Sequence, residues 1–173
     1  ACFMVGREVL FRLKREPYEE KQKYEVLRVE NLTVKSDRGS LAVRGVTFNV
    51  QSGEIVGIAG VDGNGQTELV QALTGLRHVQ GGSFWVDGVN LTNASPRKIL
   101  EQKVGHIPEE QNDALVANFT LIENLMLNRH YTDEFSKCGI LDQGKMESRS
   151  RELIRQYDVK ASSEKAIART LSG

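Results

Sequence analysis

An α/β fold organised around a strand, a glycine-rich loop and a helix is predicted by three observations. First, Glu54–Ala59 (EIVGIA) is a short run, apolar and β-branched in the middle, of the kind that forms a buried strand. Second, it leads directly into Gly60-Val61-Asp62-Gly63-Asn64-Gly65-Gln66-Thr67, which satisfies both glycines and the hydroxyl of the G-x-x-x-x-G-K-[ST] pattern but places Gln66 where the lysine stands. Third, Gln66–Leu73 follows with Leu69, Val70, Leu73 and Leu76 near helical spacing and Gly75 as a stop. The glycine order G-x-x-G-x-G does not fit the dinucleotide fingerprint G-x-G-x-x-G.

Strand, loop and helix N-terminus are the parts an anion site needs. Gly60, Gly63 and Gly65 permit tight turns, so that successive N–H groups converge on phosphate oxygens at the positive end of the helix dipole. Thr67 is placed to offer its hydroxyl to Mg²⁺. The plainer reading is a structural strand–turn–helix connection that merely uses glycines. A lysine ammonium contributes a charged contact of ~1.5–3 kcal/mol, and a glutamine amide a neutral one of ~0.5–1.5 kcal/mol. The difference weakens nucleotide binding roughly 5- to 30-fold. Phosphoryl transfer depends on positive charge around the transferring group and suffers more.

The remaining elements follow in order. Residues 1–10 are short and apolar, and residues 11–24 read as an exposed linker, mixed in charge and broken by Pro17. Val26–Val29 and Leu32–Val34 are strand material, and Leu41–Val50 alternates through Val43, Val46, Phe48 and Val50. Ser83–Val86 is a further strand ending in a turn at Asp87-Gly88. Ser95 caps a short helix with Pro96 at its first position. Val104–Pro108 reads as a second core strand. Thr120-Leu121-Ile122-Glu123 is a capping box, and Lys145–Tyr157 carries Met146, Leu153, Ile154 and Tyr157 on one face. Gly139 and Gly144 bracket a loop between these helices.

Composition narrows the function. The 173 residues are 39% hydrophobic, enough for one core of ordinary size. Lys and Arg balance Asp and Glu at 23 each, which gives no support for nucleic acid or anionic lipid as a partner. No apolar run approaches the ~20 residues that span a bilayer, and no signal peptide opens the chain. Cys2 and Cys138 lack metal-ligand spacing and read as reduced thiols; His78, His106 and His130 are scattered and read as structural or surface residues.

The order of these motifs resembles the nucleotide-binding subunit of an ABC transporter. Three segments carry the resemblance: GIAGVDGNGQTELVQALTG; VGHIPEEQNDALVANFTLIENL at the distance of the Q-loop and the start of the helical subdomain; and Leu171-Ser172-Gly173, similar to the opening of the LSGGQ signature. A phosphate loop without lysine and Glu109 at the Q-loop position are similar to the second cassette of bacterial tandem-cassette importers of simple sugars or nucleosides. GVDGNGQTEL stands closer to the nucleoside type. Met4–Glu8 resembles the segment that closes the first cassette of such proteins.

The resemblance implies a P-loop NTPase cassette with an antiparallel β subdomain, a partial RecA-like core and a helical subdomain from about residue 112 to Gly173. Residues 1–10 would be the tail of a first cassette, 11–24 a linker and 25–173 the opening part of a second. It implies ATP with Mg²⁺, contacted by Gly60, Val61, Asp62, Gly63, Asn64, Gly65, Gln66, Thr67 and Glu68, and Glu109 near the metal or a coordinated water. Ser36 or Asp37 falls where many members stack an aromatic on adenine, and neither can stack. Leu171, Ser172 and Gly173 would face a second nucleotide, held by the first cassette. The Walker B carboxylates, D-loop and switch histidine of the family would lie past Gly173, so the resemblance implies a fragment with no catalytic residue of its own.

The implied partners are that first cassette, membrane permease subunits docking on Asp113–Asn118 and, indirectly, an extracytoplasmic solute-binding protein. The implied location is the cytoplasmic face of the bacterial membrane. A soluble ABC protein of translation or DNA repair, and an interaction module with an empty loop, are the alternative readings; neutral charge and the Pro-Glu-Glu Q-loop argue against the former.

Overall fold

The computed structural model describes residues 23–61 and 63–171. The first-cassette tail, most of the linker, Asp62, Ser172 and Gly173 therefore lie outside the described residues. The chain divides into two compact units, the first ending at Ile99 and the second beginning at Leu100.

The first unit is built on a four-stranded antiparallel sheet in the order β2-β1-β3-β4. β1 (Glu25–Lys35) joins the two expected strand segments into one, β2 (Leu41–Gln51) returns beside it, and β3 (Val79–Val86) turns through Asp87-Gly88 into β4 (Val89–Asn90). The alternation in β2 changes phase between Val43 and Val46, and the register explains why. Three residues of β1 from Val29 to Leu32 face two of β2, and then two of β1 to Val34 face three of β2. One bulge compensates the other, so Val29, Leu32, Val34 and Val43 all reach the core. Val46, Phe48 and Val50 are half-buried.

Helix α1 (Gln66–Leu73) lies against β1 and β2 and buries Leu69 and Ala72. Val70 and Leu76, expected on its apolar face, are exposed instead. The sheet covers a stripe centred on Leu69 and Ala72, and eight residues are too few for a wider one. Gly75 ends the helix as expected. Its N–H bonds to the Ala72 carbonyl at 3.2 Å and the Leu76 N–H to the Gln71 carbonyl at 2.8 Å, a Schellman ending. Helix α2 (Pro96–Glu101) starts where Ser95 accepts the Lys98 N–H at 3.3 Å, and it buries Ile99.

The second unit holds α3 (Gln111–Ala114), α4 (Leu121–Met126), a two-stranded hairpin β5 (Ser136–Lys137) and β6 (Ile140–Leu141), and α5 (Gln143–Gln156). A 3₁₀ turn at Ala168–Thr170 closes it. Its core gathers Met126, Phe135 and Met146, with Ile122, Leu125 and Leu153 packed around them. Gly144 lies inside the first turn of α5, not in the preceding loop, because Asp142 caps that helix by accepting the Lys145 N–H. Tyr157 is the C-cap and exposed, so it takes no part in the packed face of α5.

Two expected strands do not form. Glu54–Ala59 and Val104–Pro108 take no strand pairing, and Ile55 and Ile107 are 97% and 93% exposed. Such two-sidedly apolar runs need a paired neighbour to satisfy their backbone groups, and the described residues contribute none to either.

Within α5, Ser150 is fully buried and its hydroxyl has no hydrogen-bond partner. Replacing it with alanine removes that unmet desolvation and raises helix propensity, so Ser150→Ala is expected to stabilise the protein by about 1 kcal/mol. A urea midpoint unchanged or lower than that of the wild type would contradict this.

Candidate functional site: a glycine loop at a helix N-terminus

The loop is placed by backbone contact with the edge strand. Gly65, the N-cap of α1, has φ 99° and is buried against β2. A Cβ there would stand 2.5 Å from the Ala42 carbonyl oxygen and 3.5 Å from the Val43 side chain. Only glycine can hold the helix start this close to the strand in that conformation. Gly63 is also left-handed, at φ 80°. Among the described residues no side chain caps α1, which leaves the donors of its first turn to another acceptor, at the positive end of the dipole.

The side chains sort around this turn. Thr67 is exposed, and Gln66 and Glu68 are half-buried. The Gln66 amide nitrogen donates to the Val61 carbonyl at 3.3 Å and lies against Gly60. Gly60, expected to supply a tight turn, is not in the left-handed region; what it supplies is space for the Gln66 amide. Ser36 and Asp37 sit in the β1–β2 turn. Ser36 Oγ is 2.9 Å from Ser40 Oγ, and Asp37 pairs with Arg77 at 2.8 Å.

Arg77 was not singled out by its sequence context. Its guanidinium also donates to Gln71 Oε1 of α1 at 2.7 Å and to the Lys35 carbonyl at 3.1 Å. It thereby ties the far end of α1 to the β1–β2 turn. Nothing local marks it, since its partners lie up to 42 positions away.

The other expected site residues belong to the second unit. Glu109 is exposed in a bend ahead of α3, and Leu171 is half-buried after the 3₁₀ turn. Between them, Asn124 pins the loop that follows α3: its Oδ1 accepts the Val116 N–H at 2.8 Å and its Nδ2 donates to the Val116 carbonyl at 3.1 Å. Leu115, Val116 and Phe119 remain partly exposed on that loop. His78, His106 and His130 are exposed, as is the Cys138 thiol. Among the described residues no group of three or more His, Cys, Asp or Glu could hold a metal, and no helix is long and apolar enough to cross a membrane.

Residues 43–173 match the family model described as ABC transporter. The chain belongs to the ABC transporter family. The cassette is similar to the nucleoside import ATP-binding protein NupA of Lactococcus lactis subsp. cremoris, 46% identical over all of this chain and 34% of that protein. It is similar also to the guanosine import ATP-binding protein NupO of Bacillus subtilis, 45% identical over the same shares. The chain thus spans about a third of the length of these relatives. Among solved structures, MJ1267, an ATP-binding cassette of an ABC transporter, superposes with a TM-score of 0.67 at 22% identity, over 87% of this chain and 60% of that one. The fold is the ABC cassette form of the P-loop NTPase fold, an antiparallel sheet and helices in an α/β arrangement.

The expected capping box at the start of α4 is present in full. Thr120 Oγ1 accepts the Glu123 N–H, and the Glu123 carboxylate accepts the Thr120 N–H at 2.7 Å. The Thr120 backbone and hydroxyl bonds hold the Glu123 carboxyl below its ordinary value of 4.5. A depressed carboxyl stabilises the fold above that ordinary value and loses the effect as pH falls through the lower folded value. Glu123→Gln keeps neutral bonds and removes the titration. Thermal melts from about pH 7 to about pH 3 should show the wild type more stable at the upper end and the two converging in acid. A gap independent of pH would refute this.

Proposed function

We propose that this chain is the nucleotide-binding part of the ATP-binding subunit of a nucleoside importer, and that Gly60–Thr67 holds MgATP as a binding site with weak hydrolysis. The N-terminus of α1, with no side-chain cap among the described residues, seated on β2 through Gly65 and followed by an exposed Thr67, carries the reading. Phosphate oxygens take the loop and first-turn N–H groups. The Thr67 hydroxyl would hold the Mg²⁺ that accompanies the nucleotide. With an amide at Gln66, less positive charge meets the γ-phosphate, which favours holding nucleotide over cleaving it. Two relatives, each about 45% identical along the whole chain and described as import ATP-binding proteins for nucleosides, support the choice of cargo. Simple sugars are the second cargo class of such subunits.

The chain acts here as a second cassette. Leu171, Ser172 and Gly173 serve the nucleotide of a first cassette in the same polypeptide, and Glu109 stands at the Q-loop position. Permease subunits dock on the Asp113–Asn118 segment at the cytoplasmic face of the membrane, and a solute-binding protein delivers cargo outside.

Gln66→Lys restores a charged contact and should tighten MgATP binding about 5- to 30-fold, measured by isothermal titration; equal or weaker affinity counts against the site. Substitutions across Asp113–Asn118 should abolish transport in vesicles while leaving nucleotide affinity within about twofold. A large affinity loss would sink the docking assignment.

A further inference from the structure

The stretch of chain around the glycine loop supplies no cationic side chain. From Gly45 to Leu76 the sequence holds no lysine, arginine or histidine, while Glu54, Asp62 and Glu68 fall within it. Arg77, the next cation, is engaged at the far end of α1 by Gln71, Asp37 and the Lys35 carbonyl. Glu54 accepts the Gln51 N–H at 2.7 Å, in the turn after β2. Glu68, the third residue of α1 and half-buried, has no such partner among the described residues. Glu123 holds the same position in α4, and there its carboxylate is occupied by the Thr120 N–H at 2.7 Å. Helical side chains lean toward the N-terminus, so the Glu68 carboxylate is carried toward the loop and the open donors of the first turn.

We propose that Glu68 is a specificity-determining residue, whose carboxylate makes this site reject free nucleoside triphosphate and admit its divalent-cation complex. The inference rests on the reading of Gly60–Thr67 as a nucleotide site. A carboxylate and a phosphate oxygen are both acceptors, so they form no hydrogen bond and repel each other. Glu68 therefore acts on the ligand through its charge rather than through a bond. With an amide at Gln66, no side chain of the stretch offsets that repulsion. A divalent cation offsets it by lowering the net charge of the ligand and presenting a positive centre to the carboxylate. A lysine in the loop would supply such charge from the protein; here it has to arrive with the nucleotide.

Isothermal titration with ATP, once in magnesium and once in EDTA, tests this through the ratio of the two Kd values. Low ionic strength keeps screening small. Thr67 by itself favours the magnesium complex, so the change of the ratio on substitution is what decides. Glu68→Gln keeps the shape and removes the charge. It should narrow the ratio about 3- to 10-fold by tightening the EDTA arm, the span of one charge at a helix N-terminus. Glu68→Asp keeps the charge and should leave the ratio within about twofold of the wild type. An EDTA arm that Glu68→Gln does not tighten, or a ratio narrowed as much by Glu68→Asp, overturns the proposal. If Glu68→Gln melts well below the wild type, Glu68→Ala, a better helix former, replaces it with the same expectation. Failure of the wild type to bind MgATP at millimolar concentration defeats the site reading and this inference with it. Binding of MgATP with a ratio that Glu68→Gln leaves unmoved defeats this inference alone.

Discussion

The contact between the Gly65 backbone and the Ala42 carbonyl sets the position of everything near the loop. β2 is the outer strand of its sheet, and its first residues lie against the start of α1. With 2.5 Å between a hypothetical Cβ and a carbonyl oxygen, no side chain fits, and the left-handed φ of 99° would strain any other residue. Once the helix starts there, its rotation is fixed by the stripe it buries. Leu69 and Ala72 face the sheet, which leaves Thr67 on the solvent side and Gln66 half-buried at the loop shoulder.

An eight-residue helix is too short to persist by its own hydrogen bonds, so both ends must be fastened. Gly65 fastens the first. The Schellman ending at Gly75 and the Arg77 guanidinium fasten the second, and two of Arg77's acceptors, Lys35 and Asp37, belong to the same hairpin that carries Ala42. The β1–β2 hairpin is therefore a single frame for the helix. Asp37, in the β1–β2 turn, is committed to this brace through its pair with Arg77.

What could be read from the chain was what is encoded locally. The α1 boundaries, the Ser95-Pro96 start, the Asp87-Gly88 turn and the Thr120–Glu123 capping box each depend on residues within a few positions, and all are present. Tertiary partnerships were not legible. Arg77, Asn124 and the Gly60 seat depend on groups brought together by folding, and no spacing rule marks them. Glu54–Ala59 and Val104–Pro108 show the limit from the other side. Their apolar character announces strands, yet pairing is a property of two segments, and a run of isoleucine and valine cannot supply its own neighbour.

The exchange of lysine for glutamine also changes what the loop can do alone. An ammonium is a strongly hydrated point charge, and at an exposed loop much of its attraction for a carbonyl is cancelled by the water it must release. A neutral amide loses less hydration and forms a directional bond to Val61. Glutamine at this position therefore suits a neutral directional bond, whereas lysine suits attraction of an anion and stabilisation of its developing charge. On the proposed reading, a loop short of charge is matched to retaining a nucleotide. The backbone donors and the helix dipole act equally on the ground state, and little is left that strengthens as a phosphoryl group departs.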